Sequence, residues 1–237
     1  MAASETSNPI IDPPLLRRLG LGFVVVLAFC AVSYIWFDRA VALWFKANLI
    51  EGTTEWVVAH RATDLGLGWV WLVPSGVGAI LFRWAQVRAK TPEASERMLV
   101  NANAALFLFA SVAGSGIVVD VLKGLIGRLR PYELFVHQAY GFQPFTLHWN
   151  MNSFPSGHGQ TVFAALTALA VIAPRFKVLW LILAVLIAAT RVIISVHYLS
   201  DVAMGSYCGL VGTVLLARLF AARGWRVRGD ADAMATR

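Results

Sequence analysis

Six long apolar segments constrain the fold of this chain more than any other feature. They cover residues 19–37, 65–82, 98–122, 157–173, 178–194 and 202–222. A helix of about 20 apolar residues crosses the hydrocarbon core of a bilayer, and in lipid every backbone polar group must be satisfied within the protein. We therefore predict an all-α, polytopic membrane protein built as a six-transmembrane-helix bundle. The fourth and fifth segments are short and need interfacial residues to complete the crossing.

The six segments leave no room for a separate soluble domain. Of the 237 residues, 58% are hydrophobic and 14% are charged, which is too apolar for a soluble domain of this size. We predict an N-terminal tail over residues 1–18, a membrane domain over 19–222 and a C-terminal tail over 223–237. Bulky residues 34–37 stand where a signal peptide would have its small-residue cleavage site, so we expect the first segment to be a permanent anchor.

Positive charge is distributed unevenly between the two ends of the predicted bundle. Thirteen of the 20 Lys and Arg residues fall on the side that carries both termini, and seven fall on the other side. The positive-inside rule then places both termini in the cytoplasm, and we expect a bacterial inner membrane with the other side facing the periplasm. No basic stripe with interleaved aromatic residues occurs, so the net charge of +7 does not indicate nucleic-acid binding. Nothing in the sequence indicates an oligomeric state.

The first of three clusters of ionisable residues pairs Lys123 with Arg130, which Pro131 follows. The two cations are seven positions apart, about two helical turns, so they would share one face if the helix continues to Arg130. Cations at a membrane edge are usually topological flanking residues, but this pair lies on the poorly charged side. Arg suits bidentate contact with a phosphate, and Lys supplies a compact point charge.

The second cluster, Pro155, Ser156, Gly157 and His158, directly precedes an apolar segment. Ser156 is a good helix N-cap, and the free backbone N–H groups of a helix start favour a phosphate. A structural cap would explain Ser156 without any ligand. It would not explain His158, whose alternative reading is a packed or interfacial histidine.

The third cluster consists of Arg191, His197 and Asp201. Histidine and aspartate at positions i and i+4 lie on one face of a helix. A carboxylate there can bind one imidazole nitrogen and leave the other free to attack, although a purely structural hydrogen bond is the alternative. All three clusters fall at segment ends on the same predicted side, which favours a shared site over three separate accidents.

At these residues the sequence resembles the type 2 phosphatidic acid phosphatase superfamily. Its three-part signature is matched by Lys123-x6-Arg130-Pro131, by Pro155-Ser156-Gly157-His158 and by Arg191-x5-His197-x3-Asp201. The match includes the internal spacings and covers residues 123–201. Thr190 departs from the serine that many relatives have before the arginine, but it keeps the hydroxyl group.

The resemblance implies a role for each residue of the signature. His197 would be the nucleophile that forms a phosphohistidine, Asp201 would orient it, and His158 would protonate the leaving oxygen and then activate water. The phosphoryl oxygens would be held by Lys123, Arg130, Arg191, Ser156 and the backbone of Gly157. These cations would supply the electrostatic stabilisation that metals provide elsewhere, so neither a metal nor another cofactor is expected. The opposite protonation states of the two histidines predict a bell-shaped pH profile.

Several residues near the clusters have simpler interpretations. Asp120 is expected to pair with Lys123, and Arg128 is expected to contact a lipid headgroup or, alternatively, the phosphate. Residues 131–154 are rich in aromatic side chains, which is typical of an interfacial belt or of a vestibule for a lipid. Cys30 and Cys208 lie inside predicted spans and indicate neither a disulfide nor a zinc site.

Three functional hypotheses remain at this point. The first is a phosphatase that hydrolyses a phosphomonoester or pyrophosphate of a membrane lipid on the extracytoplasmic face. The second is a phosphotransferase that passes the phosphoryl group to a lipid hydroxyl. The third is a lipid or anion transporter, which would leave His158 and the pair of His197 and Asp201 without a role. The sequence does not choose among phosphatidylglycerophosphate, phosphatidic acid, a polyprenyl pyrophosphate and a phosphorylated glucosamine lipid.

Overall fold

The structure is a computed structural model that describes residues 12–146 and 148–228, and its regular elements are helices. The α-helices are α1 (Pro13–Val32), α2 (Asp38–Asn48), α3 (Thr54–Ala62), α4 (Gly68–Val87), α5 (Pro92–Ile126), α6 (Pro131–His137), α7 (Gly157–Ile172), α8 (Lys177–Ile193) and α9 (Leu199–Ala222). A π-helical turn, Ser33–Phe37, joins α1 to α2, and a 3₁₀ turn, Thr63–Gly66, joins α3 to α4.

Among the described residues, five apolar helical stretches are long enough to cross a membrane. They are Pro13–Asn48, Thr54–Val87, Pro92–Ile126, Pro174–Ile193 and Leu199–Ala222. The remaining apolar helix, α7, has 16 residues. At about 1.5 Å per residue it is shorter than the hydrocarbon core. These helices confirm the predicted all-α membrane fold, with a count of six that includes one helix of less than full length.

Helix α7 tolerates its short length because it lies inside the bundle. It packs against α5, α8 and α9, and most of its side chains from Gly159 to Ala168 are buried. The large apolar side chains of α1, α4 and α8 instead point outward; Ile80 of α4, for example, is 71% exposed. This distribution gives a protein-covered central helix and a lipid-facing apolar surface.

The first helix begins at Pro13 rather than at the predicted Leu19. Asp12 caps it by accepting the backbone N–H of Leu15 at 2.8 Å, and proline is favoured at the first helical position because it has no N–H to leave unpaired. Part of the predicted N-terminal tail is therefore helical. Residues 1–11 and 229–237 of the two predicted tails lie outside the described residues.

Two glycines allow α7 and α9 to approach each other closely. A Cβ atom on Gly205 would collide with the carbonyl oxygen of Ser156, and one on Gly209 would collide with that of Gln160. These two positions therefore need a residue without a side chain for the helices to pack this closely. The contact at Gly205 also fixes the depth at which the first turn of α7 sits beside the first turn of α9.

Candidate active site

The three ionisable clusters meet at one end of the bundle. Helices α5 and α8 finish there with Lys123 and Arg191 in their last turns, while α7 and α9 start there. His158 lies within electrostatic range of His197 and of the three predicted phosphate-binding cations, Lys123, Arg130 and Arg191. Both histidines therefore border one region, which we call the catalytic pocket.

The first cluster does not lie on a single helical face. Helix α5 ends at Ile126, and Gly127 takes a left-handed backbone with φ of 60°. A side chain at Gly127 would meet the carbonyl oxygen of Gln143, so glycine is required both by its φ and by this contact. The prediction that Lys123 and Arg130 share a helix face is wrong, because the chain turns between them and a loop carries Arg130 to the pocket.

Arg130 is held by the loop that follows α6. Its Nε donates to the carbonyl oxygen of Trp149 at 2.9 Å, its Nη2 donates to Oδ1 of Asn152 at 3.2 Å, and its guanidinium lies 4.2 Å from the centre of the Trp149 ring. Burial lowers the pKa of Arg130 to about 10, which still leaves it cationic at neutral pH. The loop thus presents a rigid positive charge to the pocket.

Lys123 and Arg191 complete the positive wall. Lys123 pairs with Asp120 at 3.4 Å, as predicted, and its Nζ lies so close to Gly157 that a Cβ there would come within 2.8 Å of it. Arg191 donates from Nη1 to Oγ1 of Thr63 at 3.0 Å, while its buried Nε has no hydrogen-bond partner among the described residues. An unpaired buried guanidinium nitrogen beside two further cations is suited to an anion.

The second cluster forms the start of α7. Ser156 caps the helix by accepting the N–H of Gly159 at 3.3 Å, which confirms the predicted N-cap. Its own N–H donates to the carbonyl oxygen of Asp201 at 2.9 Å. The first N–H groups of a helix have no intrahelical acceptor, so those of Gly157 and His158 are available to an oxyanion next to Lys123.

His197 lies just outside α9 rather than within it. The helix begins at Leu199, Tyr198 is its N-cap residue, and the carboxylate of Asp201 accepts the N–H of Tyr198 at 2.9 Å. The prediction that His197 and Asp201 occupy one helix face is wrong. They are brought together because Asp201 turns back toward the start of its own helix, which places its Oδ2 3.5 Å from Nδ1 of His197.

A buried serine connects this histidine to its carboxylate. The hydroxyl group of Ser153 donates to Oδ2 of Asp201 at 2.6 Å, and its oxygen lies 3.3 Å from Nδ1 of His197. This arrangement lets Nδ1–H donate to Ser153 and Ser153 donate to Asp201. It selects the tautomer in which Nε2 of His197 carries a lone pair.

The protonation state of His197 is suited to nucleophilic attack. Burial lowers the pKa of its imidazole to about 4; Asp201 opposes that shift, and the charges of Arg130 and Arg191 reinforce it. The side chain is only 2% exposed. A neutral imidazole at physiological pH has the lone pair that a nucleophile needs.

Arg128 does not contact a headgroup or the pocket, so both interpretations from the sequence are wrong. Its guanidinium is 1% exposed and forms ion pairs with Asp38, at 2.7 Å, and with Asp201. Burial acts to lower the pKa of Arg128, but the two carboxylates together raise it. The charge is therefore permanently part of the protein interior.

Sequence reasoning missed Asp38 and Ser153. An acidic residue directly after an apolar segment, as at Asp38, is a recognisable signal because buried acids near a membrane require a partner. Ser153 carries no such signal, since serine is common in loops. Two of the other histidines have partners of their own: His137 is 3.9 Å from Glu133, and His60 stacks on Trp56.

A cavity of about 390 Å³ lies beside His158 and Gly157, between α4, α5 and α7. Much of its wall is formed by apolar or small residues, among them Leu72, Val112 and Gly116. The cavity thus borders His158 at one point and Ile117, an exposed apolar side chain of α5, at another.

Comparison with known proteins gives a consistent picture. The family model of the PAP2 superfamily matches residues 104–225. Lipid A 1-phosphatase of Rhizobium johnstonii is 39% identical over 115 residues, which are 48% of this chain and 47% of that protein. Lipid A 1-phosphatase of Rhizobium etli is 38% identical over 116 residues, 47% of this chain and 50% of that protein. The chain spans about half the length of the curated relatives it matches.

The fold is shared with a solved structure. It is the crystal structure of the first transmembrane PAP2 type phosphatidylglycerolphosphate phosphatase from Bacillus subtilis, with a TM-score of 0.54 and 20% sequence identity. The match covers 87% of this chain and 94% of that one, so the likeness extends beyond the segment that carries the three clusters.

Proposed function

The chain belongs to the PAP2 superfamily, and we propose that it is an integral membrane lipid phosphatase that acts through a phosphohistidine intermediate. The observation that carries this proposal is the placement of a neutral, buried His197 beside His158 and three cations in one pocket. A transporter would need the cations alone, whereas phosphoryl transfer uses every one of these groups.

In the first step, Nε2 of His197 attacks phosphorus and the bond from phosphorus to the lipid oxygen breaks. His158 donates a proton to the departing oxygen, so that the lipid leaves as an alcohol. Positive charge that develops on the imidazole is stabilised through Ser153 by Asp201. The product of this step is a phosphorylated His197.

In the second step, His158, now neutral, accepts a proton from a water molecule as that water attacks phosphorus. The bond between phosphorus and Nε2 breaks, inorganic phosphate leaves, and both histidines regain their starting protonation states. In both steps the negative charge on the phosphoryl oxygens is stabilised by three cations, Lys123, Arg130 and Arg191, as it is by oxyanion-stabilising groups in other enzymes. No metal ion is needed in this scheme.

The substrate we propose is a lipid phosphate that enters from the bilayer. The cavity beside His158 supports this, because His158 is the group assigned to the leaving oxygen and the same cavity is lined by the exposed apolar side chain of Ile117. Two relatives carry the name lipid A 1-phosphatase, so a phosphorylated lipid A is the first candidate. Phosphatidylglycerophosphate, phosphatidic acid and polyprenyl pyrophosphates are the others.

We propose that the pocket faces the periplasm from a bacterial inner membrane, with both termini in the cytoplasm. The end of the bundle opposite the pocket carries most of the positive charge, including Arg17 and Arg18 at the start of α1 and Arg88 after α4. The positive-inside rule favours this orientation.

Phosphate release by the purified protein in detergent tests the proposal. We expect release from at least one lipid of the four candidate classes, an acid-labile phosphoenzyme with labelled substrate, and loss of both in His197→Ala. His158→Ala should lose turnover but retain inhibition by inorganic phosphate, and His60→Ala is the matched control. Wild-type release by His197→Ala would contradict the mechanism; labelled phosphate recovered on an added lipid alcohol instead of in solution would indicate a phosphotransferase.

A further inference from the structure

A buried ion-pair network lies behind the catalytic pocket. Arg128 occupies its centre, between Asp38 of α2 and Asp201 of α9, and all three side chains are at most 1% exposed. Ser200 joins the same network: its hydroxyl group and its N–H contact the carboxylate of Asp38, and its hydroxyl group accepts from Nη1 of Arg128 at 2.6 Å. Asp201 also lies beside His197 and so links this network to the pocket.

The network divides the two oxygens of Asp201 between two tasks. Oδ1 is bound by Arg128, while Oδ2 accepts from Ser153 and from the N–H of Tyr198 and faces His197. Rotation of the carboxylate would break the pair with Arg128. Arg128 therefore holds the orientation in which Oδ2 serves the histidine.

Asp38 in turn holds Arg128. It accepts from Nη2 at 2.7 Å, and Ser33 donates to its other oxygen at 2.6 Å. Ser33 opens the π-helical turn that precedes Asp38, and such turns are frequent at functional sites. Tyr140 adds a further contact to Nη2 of Arg128, at 3.1 Å.

The charges of this network do not cancel. Two carboxylates surround one guanidinium, which leaves one net negative charge beside His197. Buried charge is costly unless it is compensated, and the imidazolium that forms when His197 is phosphorylated would compensate it. Asp38 thus prevents Arg128 from neutralising Asp201 completely.

We propose that Asp38 and Arg128 are positioning residues of the reaction: Arg128 holds the carboxylate of Asp201 in its working orientation, and Asp38 preserves the negative charge that stabilises the His197 cation. This inference rests on the proposed function. It assigns a role in catalysis to the first helical stretch, since Asp38 lies outside the residues 104–225 that the family model matches.

The charge count predicts opposite effects of two substitutions. Asp38→Asn changes the net charge of the network from −1 to 0, which makes protonated His197 less favourable and moves the acid limb of the kcat profile to lower pH. Arg128→Gln leaves two uncompensated carboxylates and moves that limb to higher pH. Each variant should lose about 10- to 100-fold in kcat, the loss typical when an outer partner of a functional histidine is removed.

The experiment measures kcat against pH, KM and inhibition by inorganic phosphate for the full-length protein in detergent. Besides Asp201, the charged and titratable groups that face His197 are Arg130, Arg191 and His158, which all variants keep. KM and phosphate inhibition should therefore stay near wild-type values. Asp12→Asn is the control, because Asp12 pairs with Arg218 at the opposite end of the bundle and asparagine caps a helix equally well.

A double variant, Asp38→Asn with Arg128→Gln, restores the net charge of −1 and should bring the acid limb back toward its wild-type position. The proposal would be overturned if the acid limbs of the two single variants stayed in place or moved in the same direction. So would a loss of phosphate inhibition in parallel with kcat, which would indicate a damaged fold. Failure of wild-type protein to release phosphate would instead reject the proposed function.

Discussion

The backbone N–H of Ser156 donates to the carbonyl oxygen of Asp201 at 2.9 Å. This bond joins the start of α7, which we propose binds phosphate, to the start of α9, whose Asp201 carboxylate lies beside His197. Both residues are completely buried. The relative position of the two histidines therefore depends on how closely α7 and α9 pack.

Substitution of Gly205 should disturb this arrangement. A Cβ atom there would collide with the carbonyl oxygen of Ser156, so Gly205→Ala must push the first turns of α7 and α9 apart. We expect the free energy of unfolding to fall by about 1–3 kcal/mol, as is usual for overpacking. We also expect kcat to fall, because the two histidines move apart. Thermal unfolding in detergent and phosphate release measure the two effects.

Gly114→Ala is the matched control for this substitution. Gly114 lies inside α5, and a Cβ atom there would have nothing within 4 Å. Alanine is favoured over glycine within a helix by about 1 kcal/mol, so this variant should be neutral or slightly stabilised and fully active. Equal behaviour of the two alanine variants would contradict the importance of the helix contact.

The sequence predicted the fold and the meeting of the three clusters at one end of the bundle, because the signals for both are local patterns. Apolar segment length gave the membrane helices, and the spacing of His158, Arg191 and His197 agreed with a family signature. The prediction that Lys123 and Arg130 share a helix face was wrong because α5 ends before Gly127. Gly127 takes a left-handed backbone conformation, which hydrophobic periodicity does not reveal.

The interior partners could not be predicted, because they join residues far apart in the chain. Arg128 is 90 positions from Asp38 and 73 from Asp201, and an arginine at a membrane edge has the same local appearance whether it faces lipid headgroups or two buried carboxylates. Only the packing of α2 against α9 decides between these environments.

Removal of Arg130 tests the electrostatic wall of the pocket. Its guanidinium is oriented in advance by Trp149 and Asn152, so Arg130→Ala should lower kcat/KM by about 10²–10³-fold, the loss seen when one oxyanion-stabilising group is removed. Arg61→Ala, an exposed arginine at the same end, should be unaffected. An activity of Arg130→Ala within twofold of wild type would exclude Arg130 from phosphate binding.

Ser153 should contribute to catalysis by selecting the tautomer of His197. Ser153→Ala removes the hydroxyl group that bridges Nδ1 of His197 and Asp201, whose nearest atoms are 3.5 Å apart. Because the substitution affects the tautomer of the nucleophile and leaves the three phosphate-binding cations in place, we expect kcat to fall while KM is nearly unchanged. Steady-state kinetics would measure this fall in kcat. Ser95→Ala is the control, because Ser95 lies at the opposite end of the bundle, where its hydroxyl group donates to the carbonyl oxygen of Gln86. A raised KM at unchanged kcat would assign Ser153 to substrate binding.

The depressed pKa of His197 should also appear in the pH dependence of stability. In the unfolded chain this histidine has a pKa of about 6.5. In the folded protein burial lowers it to about 4. As the pH falls from 6.5 toward 4, His197 binds a proton in the unfolded state but not in the folded state. The free energy of unfolding therefore decreases across this window. Above pH 6.5 the contribution is constant.

His197→Gln removes this titration while it keeps a polar side chain of similar size. The melting temperature of the variant should therefore fall less than that of wild type between pH 7 and pH 4.5, and the two curves should run parallel above pH 7. Measurement of both proteins in the same detergent cancels the contributions of the other titrating groups. Parallel curves across the whole range would mean that His197 keeps an ordinary pKa, and its readiness as a neutral nucleophile would then need another cause.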